Sequence, residues 1–331
     1  MSFPGPPFDH ELAVIMDQPQ FAPDRREFTK EYIIEQRKAI EPFCGTQQVT
    51  DDPDLSYEEV TVPGLAWDVT LSIIRSKTLK KENNPGIYLI HGGGMVLGNR
   101  LFLIGGMLTT IKALGAVLVS VEYRLAPEYP APAAVEDCYA GLQWMLENAP
   151  KLGLDVSRII VAGGSAGGGL AAGVALLNRD RKGPPLFAQL LMYPMLDDRC
   201  TSISVRQYEN DGMWTGKTNR AAWDHYLPGV RGTDKVSIYD APSRAEDLSN
   251  LPQAFIEVGA SEPFRDEAVA YATKLWECGI QAELHAWPGA WHGYNVYAPG
   301  SQIAQVSNAT RFKWLERILA APASPIVPAA L

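Results

Sequence analysis

Six short apolar runs follow one another from Gly86 to Trp287, and helical patterns separate most of them. They are "GIYLIHGGG" from Gly86, "AVLVSVEYR" from Ala116, "RIIVAGG" from Arg158, "AQLLMYPML" from Ala188, "QAFIEVGA" from Gln253 and "AELHAW" from Ala282. Runs this short and this continuously apolar suit strands covered on both faces, and such strands belong to parallel sheets. Segments such as Ala134 to Asn148 and Glu267 to Cys278 supply the helices between them. The expected fold class is α/β, with a mostly parallel central sheet flanked by helices. Upstream, "YEEVTVPG" and "WDVTLSIIRS" alternate like two antiparallel strands joined by Pro63-Gly64.

Two stretches break this pattern. Residues Asp24 to Phe43 read as an amphipathic helix, with Phe28, Tyr32, Ile33 and Ala39 or Ile40 at helical spacing. A shorter helix is expected around His10 to Asp17. From Arg199 to Asn250 no buried strand is visible, but Tyr208, Trp214, Trp223 and Tyr226 recur. A structureless loop of that length is unusual in a compact domain, so an inserted helical segment is expected. Most of its aromatics are expected to pack it onto the body. The last residues, "APASPIVPAAL", read as a loosely attached tail.

The chain has 331 residues, 46% of them hydrophobic, which is ample for a sizeable core. A net charge of −9 argues against a nucleic-acid partner, which would want a basic face. No apolar run approaches the length of a membrane span, and the first residues lack a basic segment of the secretory type. Cys44, Cys138, Cys200 and Cys278 are scattered, with no CxxC pair and no metal-ligand spacing. Reduced thiols in a cytoplasmic protein, and no bound metal, are expected.

The glycine-rich "RIIVAGGSAGGGLAAGVAL", from Arg158 to Leu176, fits two machines. One is a loop that cradles a phosphate. Gly167, Gly169 and Ala172 give a weakened GxGxxA, and Asp197-Asp198 ends the next strand where a ribose-binding acid would sit. That fingerprint should open the turn directly, yet it begins well after the strand pattern fades at Val161 or Ala162. The other machine is a turn that holds a nucleophilic serine. Gly163-Gly164-Ser165-Ala166-Gly167 fits G-x-S-x-G between a strand and a helix. Side chains two residues either side of the serine would collide in so tight a turn, so glycine is needed at both. The helix that starts under the serine favours developing negative charge.

A nucleophile needs partners, and the chain offers them. His91-Gly92-Gly93-Gly94 can converge backbone N–H groups on one point, as an oxyanion requires. In this class of site the acid and base follow the serine in that order. Of five histidines, His292 in "PGAWHGYN" sits in a turn-rich loop just beyond the last strand. The acid should lie in the loop Ser261-Glu262-Pro263-Phe264-Arg265-Asp266-Glu267. Pro263 suits a first helical turn, which favours Glu262 and keeps Asp266 as the alternative.

With these residues the chain resembles the hormone-sensitive-lipase-like carboxylesterases of the α/β-hydrolase superfamily. The resemblance rests on His91 to Gly94, Tyr123 to Glu128, Gly163 to Gly168, Glu262 to Glu267 and His292-Gly293-Tyr294, in the family's order. Two departures stand out: Gly164 replaces the aspartate that usually precedes the serine, and Glu262 replaces the aspartate of the family's Asp-Pro-Leu motif. The resemblance implies hydrolysis of short- or medium-chain acyl esters, a small-molecule ester substrate and no cofactor. It implies a catalytic set of Ser165, Glu262 and His292, with an oxyanion hole from Gly93, Gly94 and Ala166. Met95, Met213 and Trp214 are expected at the substrate pocket. It also implies a cap, built from helices in residues 1–48 and an insertion at 199–245, over an α/β body at 49–198 and 246–331. A homodimer is left open. Plant hormone receptors that resemble the same family bind a ligand without hydrolysis and lack the base; His292 is present here.

Overall fold

The computed structural model describes residues 3–18 and 26–320. The tail expected at 321–331 lies outside them, as do the first residues of the helix expected from Asp24. Eight strands form one sheet: β1 (Leu55–Pro63), β2 (Asp68–Ser76), β3 (Asn84–Ile90), β4 (Val117–Glu122), β5 (Leu154–Gly164), β6 (Ala188–Met192), β7 (Gln253–Gly259) and β8 (Ala282–Trp287). Their order is β1-β2-β4-β3-β5-β6-β7-β8. β2 pairs antiparallel with β1 and β4, and every other pairing is parallel.

Helices precede and separate the strands. Before β1 come α1 (His10–Met16), α2 (Lys30–Ile40) and α3 (Gln47–Thr50). Within the sheet region come α4 (Gly105–Leu114), α5 (Ala133–Glu147), α6 (Ala166–Asp180), α7 (Ile203–Gln207), α8 (Gly216–Tyr226) and α9 (Arg265–Glu277). After β8 come α10 (Tyr294–Tyr297) and α11 (Gln302–Ala320). The two-residue period of a strand divides the core. Tyr88, Ile90, Ile159 and Val161 face the cluster that holds Leu142, Leu170 and Tyr271 of α5, α6 and α9. Ile87, Leu89, Ile160 and Ala162 face the cluster that holds Ile111 of α4 and Trp314 of α11. Both faces are therefore covered, which is why these strands read as continuous apolar runs.

Three expectations need correction. The first long helix is shorter than Asp24 to Phe43. Thr29 caps α2 by accepting from Tyr32 N, and Pro42 sits in a separate 3-10 turn, Glu41–Phe43. β5 does not fade at Val161 or Ala162; it pairs with β6 as far as Gly164. The glycines of the GxGxxA match consequently lie inside α6, not in a loop ahead of it. The stretch from Arg199 to Asn250 holds α7, α8 and a 3-10 turn, Pro242–Arg244, but much of the rest is turn and bend. Polar side chains fix those turns: the fully buried Asp198 carboxylate accepts from both Nε and Nη2 of Arg244 and from Gly232 N. Trp223 and Tyr226 are fully buried in the main core. The four cysteines form no disulfide. No helix among the described residues is long and apolar enough to cross a membrane.

Candidate active site

Ser165 sits between the last residue of β5 and the first of α6, with φ 58° and ψ −126°. A non-glycine residue rarely takes that backbone conformation. Three backbone bonds hold it: Ser165 N donates to Met192 O at 2.9 Å, and Ser165 O accepts from Gly169 N at 3.1 Å and Met195 N at 3.0 Å. A Cβ on Gly163 would lie 2.1 Å from Gly167 O, and one on Gly167 would lie 2.1 Å from Ile90 O. The turn itself leaves no room for a side chain at Gly163, and the close approach of β3 leaves none at Gly167. At Gly164 the nearest atom to a Cβ, a ring carbon of Tyr193, is an ordinary 3.4 Å away. The atoms nearest a Cβ there all belong to the side chains of Tyr193 and Met192.

His292 lies in the turn beyond β8, with Nε2 2.9 Å from Ser165 Oγ. Its Nδ1 makes a short hydrogen bond with Glu262 Oε2. Glu262 follows β7, is 1% exposed, and its Oε1 accepts from Gly259 N at 2.7 Å. With the carboxylate accepting, Nδ1 donates and Nε2 is free to accept from the serine hydroxyl. The rings of Tyr193 and Phe264 pack edge-on to the imidazole at 4.9 and 5.0 Å, which fixes its plane. Asp266 goes elsewhere: Oδ2 accepts from Ser204 N at 2.8 Å and Oδ1 accepts from Arg265 Nε at 2.8 Å. The fold brings Glu262, not Asp266, to His292.

The glycine loop follows β3 directly. Gly93 and Gly94 have φ of 111° and 64°. A Cβ on Gly92 would lie 2.9 Å from Gly164 O and 3.3 Å from Ser165 Cβ, so the loop lies against the serine turn. The N–H groups of Gly93, Gly94 and Ala166 donate to no backbone acceptor outside the regular elements of the described residues. His91 props this loop. Its Nδ1 donates to Gly92 O at 2.8 Å, its ring stacks on Tyr123 at 4.1 Å, and Tyr123 OH donates to His91 O. Burial pushes His91 down to about 4, so it stays neutral.

Ser165 and His292 open on a cavity of about 850 Å³. Its lining includes the apolar Phe28, Tyr32, Leu97, Phe102 and Met107, then Met213 and Trp214, and the polar Asn295, Asn308 and Arg311. Met95 is not among the lining residues. With φ 62°, it carries its side chain into the core cluster of Ile33, Val96 and Ala126, fully buried. Its assignment to the pocket is therefore corrected. Tyr193, Asn295, Asn308 and Arg311 escaped the sequence reading. Asn295 lies three residues past His292 and could have been noticed; the two residues of α11 carry no local signal.

A family model described as the alpha/beta hydrolase fold matches residues 87–296. The chain is 36% identical over 249 residues to the esterase LipI of Mycobacterium tuberculosis, covering 74% of this chain and 77% of that one. It is 38% identical over 252 residues to the carboxylesterase NlhH of the same organism, with 74% and 77% covered. Among solved structures, a bacterial heroin esterase superposes with a TM-score of 0.85 at 32% identity, covering 95% of this chain and 98% of that one. The chain belongs to the α/β-hydrolase superfamily, in its hormone-sensitive-lipase-like branch of carboxylic ester hydrolases.

Proposed function

We propose that the chain hydrolyses esters of short- and medium-chain acids through an acyl-enzyme on Ser165. His292 Nε2 takes the Ser165 proton as Oγ attacks the ester carbonyl. Glu262 holds Nδ1–H and balances the imidazolium that forms. The N–H groups of Gly93, Gly94 and Ala166 receive the oxyanion. The imidazolium then gives its proton to the leaving alcohol, and the same nitrogen activates water to release the acid. The reading needs no cofactor. The observation that carries it is the continuous Glu262–His292–Ser165 chain of hydrogen bonds at the wall of one cavity. Residues 1–48 and 199–245 act as a cap, a reading supported by Phe28 and Trp214 on the cavity wall.

Turnover of p-nitrophenyl acetate and butyrate tests this. Ser165→Ala should lose at least about 10⁴-fold in kcat with the fold intact by circular dichroism. Glu262→Gln should lose about 10²- to 10⁴-fold, and Asp266→Asn less than about tenfold. Equal rates in wild type and Ser165→Ala would sink the mechanism; a larger loss in Asp266→Asn would reassign the acid.

A further inference from the structure

We infer that the side of the cavity beyond His292 receives the alcohol half of the ester, and that this alcohol is an uncharged, hydroxylated one of the polyol type. The inference rests on the esterase reading above. His292 must protonate the leaving oxygen, so that oxygen and the alcohol attached to it lie on the His292 side of Ser165. The lining next to His292 is polar: Tyr193 packs edge-on to its ring, and Asn295 follows it by three residues in the chain. Tyr193 OH donates to Asn295 Oδ1 at 3.1 Å, and Asn295 Nδ2 donates to Asn308 Oδ1 at 3.3 Å. Arg311 Nη2 donates to the same Asn308 Oδ1 at 2.5 Å.

The charge on this wall is cancelled from behind. Arg311 pairs with Glu257, a fully buried carboxylate of β7 that also accepts from Trp287 Nε1 at 3.1 Å. With Arg311 neutralised by Glu257 from behind, this wall offers an ionic alcohol no net charge to pair with. Hydrogen-bonding capacity is left over. Both bonds to Asn308 fall on its oxygen, and its Nδ2 donates to nothing among the described residues. An alkyl alcohol would cover these donors and give them no partner. A hydroxyl both donates and accepts, as a wall of amide, phenol and guanidinium groups requires.

The test compares glyceryl monobutyrate with propyl butyrate, which share the acyl group and the three-carbon alcohol skeleton. Wild type should favour the glyceryl ester by about tenfold in kcat/KM, since one net hydrogen bond is worth about that factor. Asn308→Leu should reduce the ratio about tenfold, chiefly through KM of the glyceryl ester. Should that variant lose its fold by circular dichroism, Arg311→Lys keeps the charge facing Glu257, removes the planar fork and should lower the ratio in the same direction. A wild-type ratio near one, or variants that slow both esters equally, would overturn the inference. Failure of wild type to turn over p-nitrophenyl butyrate as well would overturn the esterase reading and the inference with it.

Discussion

At Ser165 a positive φ places a hydroxyl on the wall of the cavity, and strain of that kind costs about 1–3 kcal/mol. The three backbone hydrogen bonds through Ser165 N and O offset it, and they form only because α6 can approach β3 closely at Gly167. Replacing Gly167 by Ala drives a Cβ to 2.1 Å from Ile90 O and 2.5 Å from His91 O, both rigid backbone atoms. Gly167→Ala should therefore cost about 3 kcal/mol in a urea titration. Gly164→Ala, with its nearest contact at 3.4 Å, should stay within about 0.5 kcal/mol. Equal losses at the two positions would contradict the packing described. The need for glycine at 163 was legible in the sequence, because its clash with Gly167 O arises inside one short turn; at 167 the clash comes from Ile90 and His91, distant in the chain. Which carboxylate meets His292 was less so, since Glu262 and Asp266 are four residues apart and only the start of α9 at Arg265 separates them.

Across the site, polar bonds tie α8 to the segment leading into α2, and α2 to the body. His225 Nε2 meets Phe28 O at 2.6 Å, and Arg37 of α2 binds Val96 O and Ala126 O, each at 2.8 Å, as well as the Glu128 carboxylate. This frame holds Trp214, one residue before the Thr215 cap of α8, with its indole against Gly94 and at 6.0 Å from the Phe28 ring. Trp214 thus bounds the space beside the glycine loop. Trp214→Ala should raise the ratio of kcat/KM for p-nitrophenyl octanoate over butyrate by about tenfold, as a deeper apolar pocket gains added methylenes. An unchanged chain-length profile would remove Trp214 from the acyl side. The sequence marked the aromatic stretch as inserted; the irregular turns in it depend on buried pairs such as Asp198 with Arg244, which no local pattern announces.

For the whole molecule, buried His91 and Asp240 set opposing pH dependences, and buried Glu267, pushed well above the usual carboxylate range by desolvation, acts in the same direction as Asp240. His91 is held down to about 4 by burial, so the unfolded chain binds the extra proton between about 4 and 6.5, and stability rises with pH across that window. Asp240 is pushed up to about 6 by burial, so the folded chain keeps a proton that the unfolded chain has lost, and stability falls between about 4 and 6. The His91 and Asp240 effects amount to about 3 kcal/mol each and nearly cancel one another. Asp240→Asn keeps an oxygen to accept the Tyr226 hydroxyl and removes only the second effect. Its urea midpoint should match wild type near pH 4 and exceed it by the equivalent of about 3 kcal/mol at pH 7; parallel profiles would refute the assignment. The sequence by itself determined the parallel sheet, the serine turn, the glycine loop and the order of the site residues, because strand period and turn sterics act over a few neighbouring residues. Only the tertiary structure decided that Glu262 faces His292, that Met95 turns into the core, and that Tyr193, Asn295, Asn308 and Arg311 share one wall. Those outcomes depend on where β6, β7, α10 and α11 converge, and burial by distant elements leaves no mark on the residues next in the chain.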